Sequence, residues 1–462
     1  MKVSRFGWKP LLCNLTFCFA LSILAIAAPL SLAQGNVPAP PTQKPVDARY
    51  PLPYPPSLPE AKIVISDRST DFLKPPANLR EGVEIARTPP VVDFMFYPHQ
   101  DHPGTPWSVW GDGCAVGDKY YSAIGDHHSP RGTALVYEYD ASTKKLRLLV
   151  DIATFLEAAG ALTTGMNYVP SKIHSRLDMG SDGWLYYATH RGSARTTTDE
   201  YGYKGDWVLR TQPETGKTEI VVAQPVPKHA IPMGALDPDR LIFYGGTAAG
   251  KDAPSQSVNL FAYDIREEKV RLTAEGGPER AAIFSKSSGR VFWDGKMYDP
   301  QNNSIVPSTA PNVRAATVET PQGIVYGVSK NSADLWAFDV KTQTLTSLGS
   351  AAVAKQEYIT SIDVDPTGRY LYYVAGAHGG AAAEGTPVVQ FDTQTQKRKV
   401  IAFLHPFYFD KYGYTLDGTF SSALDPKGEK LYITWNGMRK GQPRSWESCA
   451  LTVIHIPAAE RP

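Results

Sequence analysis

The chain has 462 residues, of which 42% are hydrophobic and 20% are charged, and its formal net charge is +1. A chain of this length can bury a large core, either as two ordinary domains or as one large repeat fold. The near-zero charge argues against a nucleic-acid partner or a membrane-surface partner, because both require a clear basic excess.

The N-terminus has the features of a secretory leader. Lys2, Arg5 and Lys9 precede a long apolar run that ends in small residues at Ala33. This pattern predicts a signal peptide at residues 1–33, and an uncleaved membrane anchor is the alternative because the run is fairly long. We therefore expect a secreted or periplasmic protein with no membrane insertion after signal cleavage.

Residues 34–60 are rich in proline and contain PAPPTQKP and PLPYPPSLP. This composition predicts an extended, semi-rigid lead-in rather than a domain. Only Cys114 and Cys449 follow the leader, and two cysteines cannot form the usual structural zinc set. Unpaired buried thiols and a single disulfide remain the two alternatives.

One strand–turn–strand element recurs seven times, as AVGDKYYSAIG, GSDGWLYYAT, LDPDRLIFYGG, KSSGRVFWDG, TPQGIVYGVS, DPTGRYLYYVAG and DPKGEKLYITWNG. Further strands follow most copies, as in LFAYDIREEKVRLT and VVQFDTQTQKRKVI. Four-stranded units without intervening helices are the signature of a β-propeller. We predict an all-β fold, a seven-bladed β-propeller over residues 61–462. The predicted blades are 107–152, 172–223, 228–274, 278–312, 314–349, 357–404 and 414–457.

The last unit stops at ALTVIHIP and lacks a fourth strand. We therefore expect an N-terminal strand from within Glu84 to Pro98 to close the last blade, which hides edges that an open array would expose. Closure would also bring Cys114 in the first blade towards Cys449 in the last. We hypothesise that a disulfide between them locks the ring.

The DPxGxxLYY and FDxxTxK units resemble those of the YVTN/YncE-like and SMP-30-like propeller superfamilies, over nearly the whole mature chain. The resemblance implies the fold, but propellers serve as scaffolds, binding modules, lactonases and lyases, so it does not select a function. Calcium-dependent lactonase sites of the SMP-30-like kind need Glu, Asn and Asp on the axis, and this sequence departs from that pattern.

Histidine and arginine collect at one predicted face of the disc. In a propeller, the start of each innermost strand and the loop after each second strand lie on the same face. The side chains predicted to share this mouth include His127, His128, Arg131, His174, His190, Arg191, His229, Arg280, Arg314 and His378. Turns on the opposite face, such as STKK, PETGK and REEK, contain no histidine. The asymmetry favours a functional mouth over ordinary polar loops.

The residue types at this mouth favour an anionic substrate. We find no opposed carboxylate pair there for glycoside hydrolysis and no G-x-S-x-G elbow for serine hydrolysis. Arginine binds carboxylates bidentately, and neutralising a uronate carboxylate acidifies the proton on the adjacent carbon, which a histidine can remove. This chemistry is similar to that of propeller polysaccharide lyases, which cleave uronate-containing glycans by β-elimination.

We assign roles on this basis. His174 and His190 are the predicted base and acid, Arg191 holds the carboxylate, and Tyr203 in the long second-blade loop is an alternative acid. The predicted substrate-binding residues are His127, His128, Arg131, His229, Arg280, Arg314 and His378.

Two other functions remain open. The protein is alternatively a non-catalytic extracellular propeller that binds glycan or protein, with Trp110, Trp184 and Trp435 as candidates for a sugar platform. It is alternatively a metal-dependent enzyme in which His174, His190 and His229 ligate a divalent metal. We expect no cofactor, an anionic polysaccharide or oligosaccharide as the partner, and a monomer.

Overall fold

The chain folds into seven sheets of four or five strands in a computed structural model. The structure describes residues 52–101, 107–126, 132–162, 167–330, 332–442 and 446–461. The predicted signal peptide and the lead-in before Leu52 lie outside these residues. The described residues belong to one compact unit, Pro45–Pro462.

The strands are short and follow one another along the chain. In chain order they are β1 (Ile65–Arg68), β2 (Glu84–Ile85), β3 (Val91–Phe96), β4 (Trp107–Ser108), β5 (Cys114–Val116), β6 (Lys119–Asp126), β7 (Ala134–Asp140), β8 (Lys145–Asp151), β9 (Pro170–Ile173), β10 (Asp178–Met179), β11 (Leu185–Arg191), β12 (Trp207–Thr211), β13 (Thr218–Ala223), β14 (His229–Asp237), β15 (Ile242–Ala249), β16 (Asn259–Asp264), β17 (Lys269–Glu275), β18 (Ile283–Phe284), β19 (Val291–Trp293), β20 (Lys296–Asp299), β21 (Ser304–Pro307), β22 (Ala315–Ala316), β23 (Ile324–Val328), β24 (Asp334–Asp339), β25 (Leu345–Ser350), β26 (Ile362–Val364), β27 (Tyr370–Tyr373), β28 (Pro387–Asp392), β29 (Lys397–Phe403), β30 (Tyr414–Leu424), β31 (Lys430–Arg439) and β32 (Ser448–His455).

Helices are few in the part of the chain that the structure describes. The α-helices are α1 (Ile152–Ala158) and α2 (Phe407–Tyr412). The 3-10 turns are Pro59–Ala61, Thr70–Leu73, Ala194–Thr196, Asp199–Tyr201, Ala381–Glu384 and Ala458–Glu460. None of the described helices combines the length and the apolar character that crossing a membrane requires.

Each sheet is one blade of a seven-bladed β-propeller, which confirms the predicted fold. Blades 1 to 6 are β4–β8, β9–β13, β14–β17, β18–β21, β22–β25 and β26–β29, and blade 7 is built on β30–β32. Within blades the neighbouring strands pair antiparallel, as in β14 with β15 and β15 with β16. The main chain of each hairpin thus satisfies its own hydrogen bonds while its aromatic side chains pack between blades.

The recurring DPxG motif has a structural explanation. In blade 6, Asp365 Oδ1 accepts hydrogen bonds from the backbone N–H of Arg369 at 2.9 Å and of Tyr370 at 2.7 Å. Gly368 supplies the left-handed backbone that the reversal needs, with φ +77°. The motif therefore builds the turn between the first and second strands and carries no catalytic information.

The ring closes as the sequence predicts. Strand β3 pairs antiparallel with β32, from Val91 opposite His455 to Phe96 opposite Ala450. Strand β1 then adds a further strand outside β3, and β2 pairs in parallel with β29 of blade 6. These N-terminal strands cover the edges that blades 6 and 7 would otherwise expose.

The hypothesised disulfide is wrong, because Cys114 and Cys449 are both free. Cys114 on β5 packs against the core between blades 1 and 2. Cys449 on β32 is buried in the core between blades 7 and 1. The two thiols therefore lie on opposite sides of blade 1, and the ring is closed by strand pairing without a covalent link.

Candidate functional site

The innermost strands surround a cavity of about 390 Å³ on the axis of the propeller. Its lining includes Trp110, His174, Arg280, Arg314 and Phe420, each contributed by a different blade. Arg280 and Arg314 precede β18 and β22, His174 follows β9, Trp110 lies between β4 and β5, and Phe420 lies within β30. The sequence predicts the mouth at the end of the channel where the innermost strands start. We refer to this end of the channel as the mouth.

Blade 2 brings its polar residues together through strand register. Lys172 on β9 pairs with His190 on β11, and Ile173 pairs with Thr189. Because side chains alternate along a strand, Lys172 and His174 project to the same face, where they meet His190. The rings of His174 and His190 are edge to face with centroids 5.2 Å apart. A β-bulge follows His190 and redirects Arg191.

His174 is held as a neutral imidazole. Its side chain is 7% exposed, and Nδ1 lies 2.8 Å from the carbonyl oxygen of Pro232, to which it donates. Nε2 is therefore the acceptor, and Arg280 Nη1 donates to it at 2.7 Å. Burial, together with the charges of Arg280 and Lys172, holds the pKa of His174 well below its usual value.

His190 is neutral for similar reasons but has a different environment. Burial and the neighbouring His174 and Lys172 lower its pKa well below the usual value. The side chain is 4% exposed, and its Nδ1 has no hydrogen-bond partner among the described residues. A buried polar atom without a protein partner is uncommon, and a bound water, a ligand or a catalytic role can account for it.

Four cationic side chains converge beside these histidines: Lys172, Arg191, Arg280 and Arg314. None of the four forms an ion pair with a carboxylate within the described ranges. Arg191 donates to the carbonyl oxygen of Ala249 at 2.8 Å, and Arg314 Nε donates to the Tyr358 hydroxyl at 2.8 Å. The nearby Glu279 pairs with Lys330 instead. The site therefore carries positive charge that no described carboxylate pairs with directly, although Asp206 acts on Arg191 and Glu279 acts on Arg280 from a greater distance.

Lys172 is the main residue that sequence reasoning missed. It is 7% exposed, and its Nζ lies 4.5 Å from the centre of the Trp110 ring. Burial and then the charges of Arg280 and Arg191 lower the pKa of Lys172 well below its usual value. The motif KIHS could have identified Lys172, because side chains alternate along a strand and Lys172, two positions before His174, therefore projects to the same face as His174.

An aromatic group borders the cationic residues. Trp110 lies 4.8 Å from Phe420 and 5.7 Å from Trp446 by ring centroids. The exposed His378 stacks on Tyr358 at 4.7 Å and lies 5.1 Å from Phe420. Of the three tryptophans considered for a sugar platform, Trp110 lies in this group, whereas Trp184 packs under Arg210 and Trp435 is fully buried.

Tyr203 and His229 do not stand free at the mouth. Tyr203 is fully buried and donates to Asp206 at 3.2 Å, so its proposed role as an alternative acid needs correction. The long second-blade loop turns it inward, where it packs against Tyr168. His229 is 3% exposed, and its Nδ1 lies 2.9 Å from the Thr247 hydroxyl. His127, His128 and Arg131 lie outside the described residues.

Further along the channel from the mouth lie carboxylates that the sequence did not indicate as a group, and one of them, Asp112, lines the same cavity as His174. Asp112 accepts hydrogen bonds from the Ser361 hydroxyl and from the backbone N–H of Ser422, the latter at 3.3 Å. Ser422 in turn donates to Asp363 at 2.5 Å. Burial raises the pKa of Asp112 to about 7. This network joins blades 1, 6 and 7 at the axis, and it contributes to ring closure.

The described residues contain no group of three or more His, Cys, Asp or Glu side chains arranged to hold a metal ion. The predicted trio of His174, His190 and His229 is therefore not such a group: His174 is committed to Pro232 and Arg280, and His229 contacts Thr247.

Comparison with known proteins gives the fold. No protein-family model matches the chain, and no curated protein matches it. Among solved structures it is similar to an oligogalacturonate lyase from Vibrio parahaemolyticus, with 9% identity and a TM-score of 0.50 over 87% of this chain and 99% of that chain. An oligogalacturonate lyase in complex with manganese matches with 12% identity and a TM-score of 0.49 over 86% and 97%. A mitotic checkpoint complex chain matches with 10% identity and a TM-score of 0.46 over 83% and 95%. Likeness at this level of identity shows the propeller fold alone.

Proposed function

We propose that the mouth binds a uronate-containing polysaccharide or oligosaccharide and cleaves it by β-elimination. The observation that carries this proposal is the convergence of Lys172, Arg191, Arg280 and Arg314, without described carboxylate partners, beside two neutral imidazoles. Lys172 and Arg314 are buried, Arg191 is partly exposed and Arg280 is exposed. A buried cation without an ion-pair partner is costly in a protein interior, and an anionic ligand offsets that cost.

The guanidinium groups supply carboxylate binding. Arg280 is oriented by its hydrogen bond to His174, which leaves its remaining N–H groups to face a ligand. A guanidinium fork matches a carboxylate bidentately and stabilises the charge that builds on it when the adjacent carbon loses its proton. Arg280 and Arg191 are therefore the proposed carboxylate clamp, and His174 is a positioning residue for Arg280.

His190 is the proposed base. The ring is neutral and buried, and its Nδ1 has no hydrogen-bond partner among the described residues. A neutral imidazole beside a neutralised uronate can remove the proton on the carbon next to the carboxylate. The imidazolium of His190 then returns that proton to the glycosidic oxygen, which leaves as a hydroxyl group and completes the elimination. The bond between that oxygen and the ring carbon breaks as the new carbon–carbon double bond forms, so no water is consumed.

The aromatic group of Trp110, Phe420, Tyr358 and His378 favours a carbohydrate over a small anion. Sugar rings present apolar faces that pack on aromatic rings, while their hydroxyl and carboxylate groups need polar partners. The oligogalacturonate lyases named above act on a substrate of this class, although their likeness to this chain concerns the fold only. We further propose that the protein works outside the cytoplasm as a monomer, after removal of residues 1–33.

The test is incubation of the full chain with a panel of uronate polymers, including polygalacturonate and alginate, followed by ultraviolet absorbance. Elimination creates an unsaturated uronate end that absorbs, whereas hydrolysis does not. We expect absorbance to rise with the wild type and with the control His405→Ala, because His405 contacts Phe409 outside the channel. We expect the rise to be slower by about 100-fold or more with His190→Ala.

The aromatic group also supports a second function, non-catalytic glycan binding. Calorimetry with the same polymers separates the two. Binding without any absorbance change would establish a binding module, and activity that disappears with a chelator and returns with a divalent metal would favour the metal-dependent alternative.

A further inference from the structure

The amine of Lys172 is buried in surroundings that do not stabilise its charge. The side chain is 7% exposed, and Nζ lies over the Trp110 ring at 4.5 Å from its centre. No carboxylate or other acceptor in the described chain forms an ion pair or a hydrogen bond with it. Placing an unpaired ammonium in such a site costs several kcal/mol.

The charged neighbours add to this cost. Arg280 and Arg191 are the cations that act on Lys172, and both lower its pKa in addition to burial. The two imidazoles on the same face, His174 and His190, are neutral and add no compensating negative charge. A lysine desolvated beside other cations is the arrangement that activates an amine as a nucleophile.

We propose that Lys172 is a carbonyl-reactive amine, which forms an imine with an anionic aldehyde or 2-keto acid bound at the mouth. The anionic group of such a compound would pair with Arg280 and Arg191, and its carbonyl would face Nζ. The apolar face of Trp110 keeps water away from the amine on one side.

The covalent step balances without an oxidant or a reductant. The amine lone pair forms a bond to the carbonyl carbon, and the carbonyl electron pair moves to oxygen. A proton passes from nitrogen to that oxygen, for which the cross-strand neighbour His190 is the available carrier. The nitrogen lone pair then expels the hydroxyl group, which takes up the second nitrogen proton by way of His190, so the carbon–oxygen bond breaks, one water leaves and the imine forms.

This inference shares a site with the proposed lyase but does not depend on elimination. Imine formation is measured by a covalent adduct and elimination by absorbance of the polymer product, so either can fail while the other stands.

The experiment uses pyridoxal 5′-phosphate, an anionic aldehyde, with the full chain at pH 7, followed by borohydride reduction and peptide mass analysis. An exposed lysine with a pKa near 10.4 is neutral in fewer than about one molecule in a thousand at this pH. We expect Lys172 to be labelled at least about tenfold faster than exposed lysines such as Lys217, because a larger fraction of its amine is neutral. Pyridoxal without the phosphate should label Lys172 more slowly, since it lacks the group that the arginines bind.

Two variants complete the test. Lys172→Met should abolish the fast adduct, while Lys217→Met should leave it intact. If Lys172→Met does not fold, peptide mass analysis of the wild type still tests the proposal, because it shows whether the fast adduct lies on Lys172. Labelling of Lys172 no faster than that of exposed lysines would overturn the proposal. Equal labelling by pyridoxal and its phosphate would overturn the anionic class of the ligand.

Discussion

Arg280 donates a hydrogen bond from Nη1 to Nε2 of His174 across 2.7 Å, although the two residues are 106 positions apart in the chain. The bond requires a neutral imidazole, because a protonated ring has no lone pair to offer. The bond positions the guanidinium at the edge of the cavity. Because Nε2 of His174 accepts this bond, His174 positions Arg280 and does not act as the base.

The first prediction concerns this pair. Arg280→Met should raise the pKa of His174 towards its usual value, because the variant loses both the guanidinium charge and the donor at Nε2. The change should also reduce kcat/KM for uronate cleavage by about 10- to 100-fold, the range expected for loss of a charged hydrogen bond. Nuclear magnetic resonance titration of the imidazole and initial rates check the two effects. Arg369→Met, in a surface pair with Asp392, is the control and should change neither.

The second prediction separates the two histidines. His190→Ala should lower the elimination rate by about 100-fold or more, as for loss of a general base, and should change the melting temperature little because Nδ1 has no described partner. His174→Ala should destabilise the protein by about 1 kcal/mol or more, since it loses the bonds to Pro232 and Arg280. Thermal unfolding and initial rates give the comparison. Full activity in His190→Ala would remove this residue from the mechanism.

The third prediction concerns the carboxylate network further along the channel from the mouth. Burial raises the pKa of Asp112 from 3.8 to about 7, so the folded protein holds a proton that the unfolded chain releases. The contribution of Asp112 to the free energy of unfolding is therefore complete below about pH 4 and is lost as the pH rises to about 7, by an amount on the order of 4 kcal/mol.

Asp112→Asn should remove this dependence, so the variant gains stability relative to the wild type between pH 4 and pH 7. Urea unfolding at several pH values measures it. Asp339→Asn is a control of opposite sign, because backbone hydrogen bonds from Thr342 and Lys341 lower the pKa of Asp339. At neutral pH the free energy of unfolding of Asp339→Asn should be lower than that of the wild type, and this difference should shrink as the pH falls. A parallel pH dependence in wild type and Asp112→Asn would show that Asp112 does not titrate in this range.

The fourth prediction tests the correction at Tyr203. Tyr203→Phe should cost about 1 to 3 kcal/mol of stability, because it removes a hydrogen bond to the buried Asp206. Asp206 keeps its bonds from Tyr168 and Thr189, so the site itself should be unaffected. Urea unfolding and the rate of uronate cleavage check both parts. A lower rate with unchanged stability would restore Tyr203 as the acid.

The sequence by itself determined the seven-bladed propeller and its closure by a strand from within Glu84 to Pro98, which the structure places at Val91–Phe96. The reason is that each blade is built from local hairpins. Consecutive residues specify both the turns, as in the DPxG motif, and the alternation of buried and exposed side chains along each strand. The same local logic predicted that His174 and His190 would meet, because they lie on neighbouring strands of one blade.

Only the tertiary structure decided the partners across blades. Arg280 with His174, Trp110 with Lys172, and Asp112 with Ser361 each join residues from different blades, and their contact depends on the inclination of the blades and on side-chain rotamers. The predicted disulfide failed for this reason, since closeness of two blades does not specify which face of a strand a thiol occupies. Charge state also depends on burial, so the neutral His174 and the unpaired Lys172 became evident only once the surrounding blades excluded water from both.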